Sequence, residues 1–457
     1  IWINCRGRVL SDPEDGSPRY LVGCINEIGA KQKADNVSGL LGEYSLKIFY
    51  ESRSPKLPQG FLLRIGIDDF KNINESHGNE YGDYILRRTA QCIEENIGPE
   101  QSLFHIVADE FAVVDFSGGS VQQAEDLFHE IKKSIYAFIE QNQYKAVYTV
   151  SGGIVKNGDV DNSFENAMKL SEFALSEAKE RGKNSCYVFE EEEYEDYLKS
   201  RTLLRQLHHA VNNGFEGFEA YFQPLVNAAN GELTGAETLL RFHSPEGGMV
   251  SPGEFIPILE ESGLIIPVGR WVLRQALDAC REWQKILPEF KVNVNLSYVQ
   301  VLKSRVLTDV RRIVDEFGVK PSSVCIELTE SGYLEENERF DKVWNGLKEY
   351  GVLLALDDFG TGYSNLRCLS DLKPAYIKID RSFTLKALNR EYEYRLLNHI
   401  VEMSHSLGLH VCVEGIETEG ELTKAKQTEP DYIQGFLFGK PCSRAEFTQK
   451  FFTKQAG

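Results

Sequence analysis

From about Phe215 onward the chain repeats one pattern, a short β-rich run followed by a stretch with helical periodicity. Eight strand-like runs recur: "EAYFQPLVN", "LTGAETLLRF", "KVNVNLS", "SVCIELTES", "GVLLALDDF", "AYIKID", "HVCVEGIE" and "YIQGFLFGKP". Helical patterns such as "GRWVLRQALDACREWQKI" separate most of them. About 240 residues of alternating units is the length at which eight strands close on themselves. The expectation for residues 215–457 is a TIM-like (β/α)8 barrel, and for the whole chain an α/β class.

Barrels of this kind do their chemistry at the carboxyl ends of the strands. The polar residues there are lopsided. Glu237 lies on the second run and Asn295 on the third; Glu327 is on the fourth, and Asp357 and Asp358 end the fifth. Lys378 follows on the sixth, Glu414 on the seventh and Gln434 near the eighth. Side chains alternate across a strand, so a carboxylate among apolar neighbours points into the barrel. One such Glu alone reads as an edge residue or a salt-bridge partner, and Lys378 alone would simply neutralise Asp380. Five carboxylates at corresponding strand ends repel one another unless cations relieve them. An oxygen-rich set suits magnesium or manganese, and it contains no histidine, which argues against a His-rich zinc hydrolase.

Upstream, residues 34–190 alternate strand and helix over a length suited to one α/β domain. "GFLLRIGIDDF" and "KAVYTVSGGIV" read as strands, and "SLFHIVADEFAVV" as a hairpin. "GDYILRRTAQCIEENI", "VQQAEDLFHEIKKSIYAFIEQ" and "SFENAMKLSEFALSEAKERGKN" read as helices, the last ending at Gly182. In residues 191–214, Leu203, Leu204, Leu207 and Val211 share a face, which predicts a connector helix with a solvated acidic start. Residues 1–33 hold two β-rich runs joined by "SDPEDGSPR", a hairpin too short to own a core.

The formal charge is -19, from 50 Lys and Arg against 69 Asp and Glu. That balance opposes a nucleic-acid polymer as partner but leaves room for a small phosphorylated ligand at a local site. The 9 cysteines are odd in number and form no CxxC, so a reducing, cytoplasmic setting is expected. No apolar run approaches the roughly 20 residues that span a bilayer. The first residue is Ile1 and not Met, so a fragment is expected, with an upstream membrane anchor or sensor left open.

The third block resembles an EAL domain, the phosphodiesterase module that hydrolyses cyclic di-GMP to linear pGpG. "AETLLRF" stands where that family has its Glu-Ala-Leu, with Thr238 in place of alanine; "NVNLS", "ELTES", "LDDFGTGYSNL", "YIKID", "VEGIET" and "QGFLFGKP" follow in the family's order. The resemblance implies two divalent ions, Mg2+ or Mn2+, held by Glu237, Asn295, Glu327, Asp357, Asp358 and Glu414. It makes Lys378, Glu414 and Glu237 the catalytic group, with Lys378 beside the attacking water. Gln223, Arg241 and Gln434 would contact substrate or its solvent. Glu330 and Glu417 would support the "DDFGTGYSNL" loop, and a homodimer is implied. Thr238 should matter little, because the residue adjacent to Glu237 points the other way.

The second block resembles a GGDEF domain, the diguanylate cyclase module with a nucleotidyl-cyclase-like, ferredoxin-like fold. "GIDDFKNINESHGNEYGD" and "AKERGKN" carry the likeness. The family's Gly-Gly-Asp/Glu-Glu-Phe is "VADEF" here, so Val107 and Ala108 replace two glycines that let backbone approach phosphates. Gly66 replaces the first metal-binding aspartate, and Gly98 and Gln101 stand where the inhibitory Arg-x-x-Asp would be. A domain without cyclase activity is expected. Asn74 and Asp83 match guanine-reading positions and Lys183 a phosphate contact, so an allosteric GTP site stands beside the alternative that all three are scaffold residues. Residues 1–33 resemble the last two strands of a PAS sensor. Two rivals remain on the sequence: a non-catalytic cyclic di-GMP receptor, for which metal ligands would be missing, and a bifunctional enzyme, which Gly66 and "VADEF" oppose. "DDFG" alone would suggest a kinase, but no Gly-rich loop accompanies it.

Overall fold

The computed structural model describes residues 2–11, 18–28, 34–53, 60–142, 147–157, 163–329, 338–361 and 366–453. The chain divides between Tyr197 and Leu198 into two compact units. Among the described residues no helix is long and apolar enough to cross a membrane.

The expected hairpin at the start forms from β1 (Trp2–Ser11) and β2 (Pro18–Ile28), which pair antiparallel. The sheet that follows contains β3 (Phe61–Ile67), β4 (Gln101–His105), β5 (Glu110–Asp115), β6 (Val150–Lys156) and β7 (Cys186–Val188), in the order β4-β5-β3-β6-β7. All seven residues of β3 are buried, so its two faces feed two cores. Phe61, Leu63 and Ile65 pack with Ile85, Ile93, Phe128 and Ile131 on one side. Leu62 packs with Leu46, Tyr50, Leu170 and Ala174 on the other. Alternation along a strand dictates that split, and helices on both faces follow from it. "GIDDF" is not all strand. β3 stops at Ile67, and Asp69, at φ 54°, opens the helix Phe70–His77.

The predicted connector forms as the helix Glu191–Asn212, where Leu207 is fully buried and Leu203 and Val211 pack against the barrel core. The barrel strands are β8 (Phe218–Asn227), β9 (Leu233–Ser244), β11 (Lys291–Asn295), β12 (Val324–Thr329), β13 (Leu353–Phe359), β14 (Tyr376–Ile379), β15 (His410–Val413) and β16 (Tyr432–Gln434). β10 (Gly248–Val250) and β17 (Cys442–Ser443) pair at its margins, with β9 and β8. The β8–β9 pairing closes the ring.

Two differences from the sequence expectation stand out. A TIM barrel is all parallel, but β8 runs antiparallel to both β9 and β16. The cause is the short turn after Asn227, whose Oδ1 accepts from the backbone N–H groups of Ala229 and Asn230. A turn that short makes a hairpin; a parallel neighbour needs a crossover of a dozen or more residues. The eighth run is also shorter than "YIQGFLFGKP" suggests, because only Tyr432–Gln434 is strand. Elsewhere the pattern holds. Helix Ile265–Trp283 buries Ile265, Val268, Val272, Ala276 and Cys280, the stripe that a 3.6-residue period predicts.

Candidate active site

The carboxylates come together at one mouth of the barrel, although Glu237 lies within β9 and not at its end. Glu237 on β9, Glu327 on β12 and Asp357 on β13 are buried, with ligand oxygens within 4.8 Å of one another, a group able to hold a metal ion. Lys378, on β14 and 2 % exposed, stands among them. Its Nζ lies 3.2 Å from Glu237 Oε2, 3.0 Å from Glu327 Oε2, 3.5 Å from Asp357 Oδ1 and 2.8 Å from Glu414 Oε1. One ammonium therefore faces four carboxylates, and Asp358 adds a fifth nearby.

That imbalance sets the electrostatics. Burial works to raise the Glu237 carboxyl, but Lys378 and the amides of Gln434 and Asn295 outweigh it and hold it below its ordinary value. Glu327 goes the other way: burial lifts it well above the usual range, and Lys378 does not compensate for the neighbouring carboxylates. Burial also raises Asp357, against the pull of Lys378. Glu414 rises to about 8 through burial plus repulsion from Asp357 and Glu237, which Lys378 opposes. Burial and Asp357 raise Asp358 to about 6. Lys378 itself is held well above its usual value, because the four carboxylates overcome its desolvation. The cluster lacks positive charge.

Asp357 and Asp358 use a device that the sequence reading missed. The pair does not end its strand, since β13 continues to Phe359. Register with β14 jumps from Leu356↔Ile377 to Phe359↔Ile379, so three steps on one strand match two on the other. This is a β-bulge, and Asp358 takes the left-handed conformation, φ 57°, within it. The extra residue lets neighbouring side chains turn toward one mouth, which a regular strand forbids. The Asp358 N–H donates to Asp357 Oδ1 at 2.9 Å and fixes the pair.

Gln434 Nε2 donates to Glu237 Oε2 at 2.6 Å and to Gln223 Oε1 at 3.1 Å. Gln434 Oε1 is buried without a hydrogen-bond partner among the described residues. Arg241 sits half-buried with its guanidinium 5.6 Å from the Tyr221 ring, and burial lowers its pKa although Glu237 opposes this. Asn295 lies exposed at the mouth, and its Nδ2 donates to Glu237 Oε1 at 2.9 Å. Glu417 pairs with Arg381, while Glu330 and the end of the "DDFGTG" loop from Gly362 lie outside the described residues. One contributor went unnamed from sequence: Asn293 is buried and donates from Nδ2 to Glu327 Oε1 at 2.7 Å. The alternation in "NVN" was the signal, because two asparagines two apart face the same way.

The first unit's carboxylates are arranged differently. Arg64 pairs with Glu110 at 2.6 Å, and Lys183 Nζ donates to both oxygens of Asp69 at 2.8 and 2.7 Å. Buried Asp68 accepts from Thr149 and Ser151 hydroxyls and from the Asn184 N–H. A Cβ at Gly66 would lie 2.9 Å from Lys179 Nζ, so an ammonium occupies the space where a side chain at 66 would begin. Lys179 also bears on Asp109, whose carboxyl burial raises and Lys179 lowers. Val107 is 57 % exposed, and Ala108 takes φ 52° in the turn. Asn74 Oδ1 lies only 1.9 Å from where a Cβ on Gly82 would be, which brings Asn74 against the helix that carries Asp83.

Comparison with known proteins bears on both units. The EAL domain family model matches residues 204–441, and the model for the GGDEF domain of diguanylate cyclases matches residues 45–185. The chain is 29% identical over 381 residues to the bifunctional diguanylate cyclase/cyclic di-GMP phosphodiesterase MucR of Pseudomonas aeruginosa, covering 83% of this chain and 55% of that protein. It is 29% identical over 386 residues to the cyclic di-GMP phosphodiesterase PdeR of Escherichia coli, covering 84% and 58%. A solved structure of the MucR phosphodiesterase in complex with c-di-GMP matches 54% of this chain and 99% of its own at 32% identity, with a TM-score of 0.51. The chain spans about half the length of the curated relatives it matches. An eight-strand barrel with its acidic mouth, and a family match running from the connector helix to β16 and just beyond, make this chain a member of the EAL domain family, with a GGDEF domain ahead of it.

Proposed function

We propose that the chain is a metal-dependent phosphodiesterase that hydrolyses cyclic di-GMP to linear pGpG. The carrying observation is that, among the described residues, a single ammonium stands among four carboxylates at the barrel mouth. Buried like charges persist only where cations join them, and hard oxygen donors suit Mg2+ or Mn2+. The donor set fits two such ions. Glu237, Asn295, Glu327 and Asp357 would hold one; Asp357, Asp358 and Glu414 would hold the other. The unpartnered Gln434 Oε1 calls for a donor such as an ordered water.

When bound, the ions lower the pKa of a water and screen the phosphodiester's charge. The chain's own groups do the rest. Lys378 cannot ligate a cation, so its ammonium stays beside the attacking water and the developing negative charge. Arg241 offers a partly desolvated guanidinium to a phosphate, a stronger partner than one in bulk water. Gln223 and Gln434 form one amide chain running into Glu237 Oε2, which holds that carboxylate's orientation. Purified protein with Mg2+ or Mn2+ should convert cyclic di-GMP to pGpG, read by chromatography. Intact substrate under both metals would leave the non-catalytic receptor as the better account.

The GGDEF unit, in this reading, makes no cyclic di-GMP. Gly66 supplies no carboxylate, Lys179 fills the space beside it, and Val107 and Ala108 stand in the turn. MucR carries both activities by its description, so the test is direct: GTP with Mg2+ should yield no cyclic di-GMP. A regulatory GTP site is the second reading. The nearness of Asn74 to the helix bearing Asp83 favours it, and the engagement of Lys183 by Asp69 opposes it. Calorimetry with GTP and its effect on hydrolysis decide between them. Homodimerisation, a cytoplasmic setting and a PAS origin for the first hairpin complete the proposal.

A further inference from the structure

Strand β11 lies between the two strands that carry Glu237 and Glu327. Its inward residues are Asn293 and Asn295, two apart. Each gives an amide N–H to a different glutamate: Asn295 Nδ2 to Glu237 Oε1 at 2.9 Å, and Asn293 Nδ2 to Glu327 Oε1 at 2.7 Å. The second oxygen of each glutamate faces Lys378, Glu237 Oε2 at 3.2 Å and Glu327 Oε2 at 3.0 Å. The two asparagines differ in depth. Asn295 is exposed at the mouth, with its Oδ1 able to meet a cation; Asn293 lies below, 7 % exposed.

We propose that Asn293 is a positioning residue that holds Glu327 as a single-oxygen metal ligand and thereby favours a small octahedral cation over Ca2+. The inference rests on the metal-dependent reading above. Glu327 is fully buried, so no water can replace a lost donor on Oε1 without entering the barrel. The bond from Asn293 occupies Oε1 and leaves Oε2, the oxygen beside Lys378, for a cation. A carboxylate bound through both oxygens would forfeit that bond. Mg2+ takes carboxylates through one oxygen in a near-ideal octahedron, whereas Ca2+ takes more ligands and accepts bidentate carboxylates. The same bond fixes the side chain's rotamer before any cation arrives, the usual work of an outer partner behind a metal ligand.

The test is cation binding without turnover. Mn2+ is titrated into wild type and Asn293→Ala and followed by electron paramagnetic resonance; Mg2+ and Ca2+ then compete for the bound Mn2+. The sites counted are those that Glu237→Ala removes. Asn293→Ala should loosen Mn2+ by about 10- to 100-fold, the usual effect of losing an outer partner. The ratio of Ca2+ to Mg2+ affinity should also move toward Ca2+. General loosening of the fold would weaken all three ions alike, so the ratio is the deciding readout. Should the alanine variant fail to fold, Asn293→Leu keeps most of the volume without the donor and answers the same question. An unchanged ratio in a folded variant overturns the role of Asn293 while the metal reading stands. A wild type that binds no Mn2+ overturns both.

Discussion

Two clusters of carboxylates, one in each unit, make opposite use of the same residue types. In the GGDEF unit, cations and donors of the chain itself answer the carboxylates described: Arg64 answers Glu110, Lys183 answers Asp69, and two hydroxyls with a backbone N–H answer Asp68. In the barrel, one Lys378 serves four. In the first arrangement these three carboxylates are answered, and among the described carboxylates of that cluster only Asp109 is raised by burial, against the pull of Lys179. The second is costly unless something positive arrives from outside, because buried like charges raise one another's pKa. In the proposed reading, the balance of charge within a cluster, more than its acidity, is what separates a retained scaffold from a site that expects a metal.

The largest effects should break that comparison at its two centres. Glu237→Ala removes a proposed metal ligand that also anchors Gln434, Asn295 and Lys378. Hydrolysis of cyclic di-GMP should fall by on the order of 10³-fold, at least the scale of losing one preorganised hydrogen-bond donor. Glu110→Gln, made in the other cluster, should leave hydrolysis unchanged. Equal losses from the two substitutions, measured by pGpG release, would mean that the clusters are coupled and not distinct.

A second effect comes from pH. Glu414, raised to about 8, and Asp358, raised to about 6, hold protons in the metal-free fold that the unfolded chain has released. A carboxyl whose folded pKa is raised adds stability that is complete below its unfolded value and fades as pH climbs through the folded one. Metal-free protein should therefore melt at higher temperature near pH 5 than near pH 8, by a few degrees, with the loss spread between about 4 and about 8. Mn2+ should flatten that slope, because the ions replace the protons. A melting temperature that rises between pH 5 and 8 without metal would contradict the charge imbalance.

A third effect is smaller. Gly66→Asp returns the missing carboxylate to the GGDEF unit, but its first atom meets Lys179 Nζ. Position 66 is buried, so the new carboxylate should displace Lys179 Nζ and pair with it, gain no stability from doing so, and still yield no cyclic di-GMP from GTP. Product from this single variant would show that the internal cations of that cluster are displaceable.

Much of this contrast was legible in the sequence, for identifiable reasons. Barrel strands announce themselves by repeated period-two runs, and inward carboxylates by their apolar neighbours. Gly66 and "VADEF" flagged the altered cluster directly. What stayed hidden depended on partners distant in sequence. The reversal of β8 follows from a turn too short for a crossover, visible in "NAANGE" but easily passed over when every other unit carries a helix. The bulge at Asp357 and Asp358 is a property of two strands in register, so one strand's sequence cannot reveal it. Lys179 meets Gly66 across a sequence separation of 113 (179 − 66), and no local pattern marks that approach.

The smallest effect concerns the barrel's own departure from the Glu-Ala-Leu signature. Thr238 is adjacent to Glu237, so it points out of the barrel and stands opposite Phe222 and Val294 in register. It is 1 % exposed, and its Oγ1 is buried without a hydrogen-bond partner among the described residues. A buried hydroxyl left unpaired costs about 1–3 kcal/mol. Thr238→Val keeps the branched shape and removes the hydroxyl, so it should stabilise the protein by about 1 kcal/mol at most, since a relaxed side chain recovers part of that cost. Hydrolysis should not change, because the residue faces away from the proposed metal ligands. Gly66 and Thr238 are both single-residue departures from a family signature, yet one removes a carboxylate from a cluster and the other only places a hydroxyl behind a strand. If Thr238→Val lowered the hydrolysis rate while raising the melting temperature, the face of the strand would no longer separate the two cases, and the comparison between the clusters would have to include the layer behind β9.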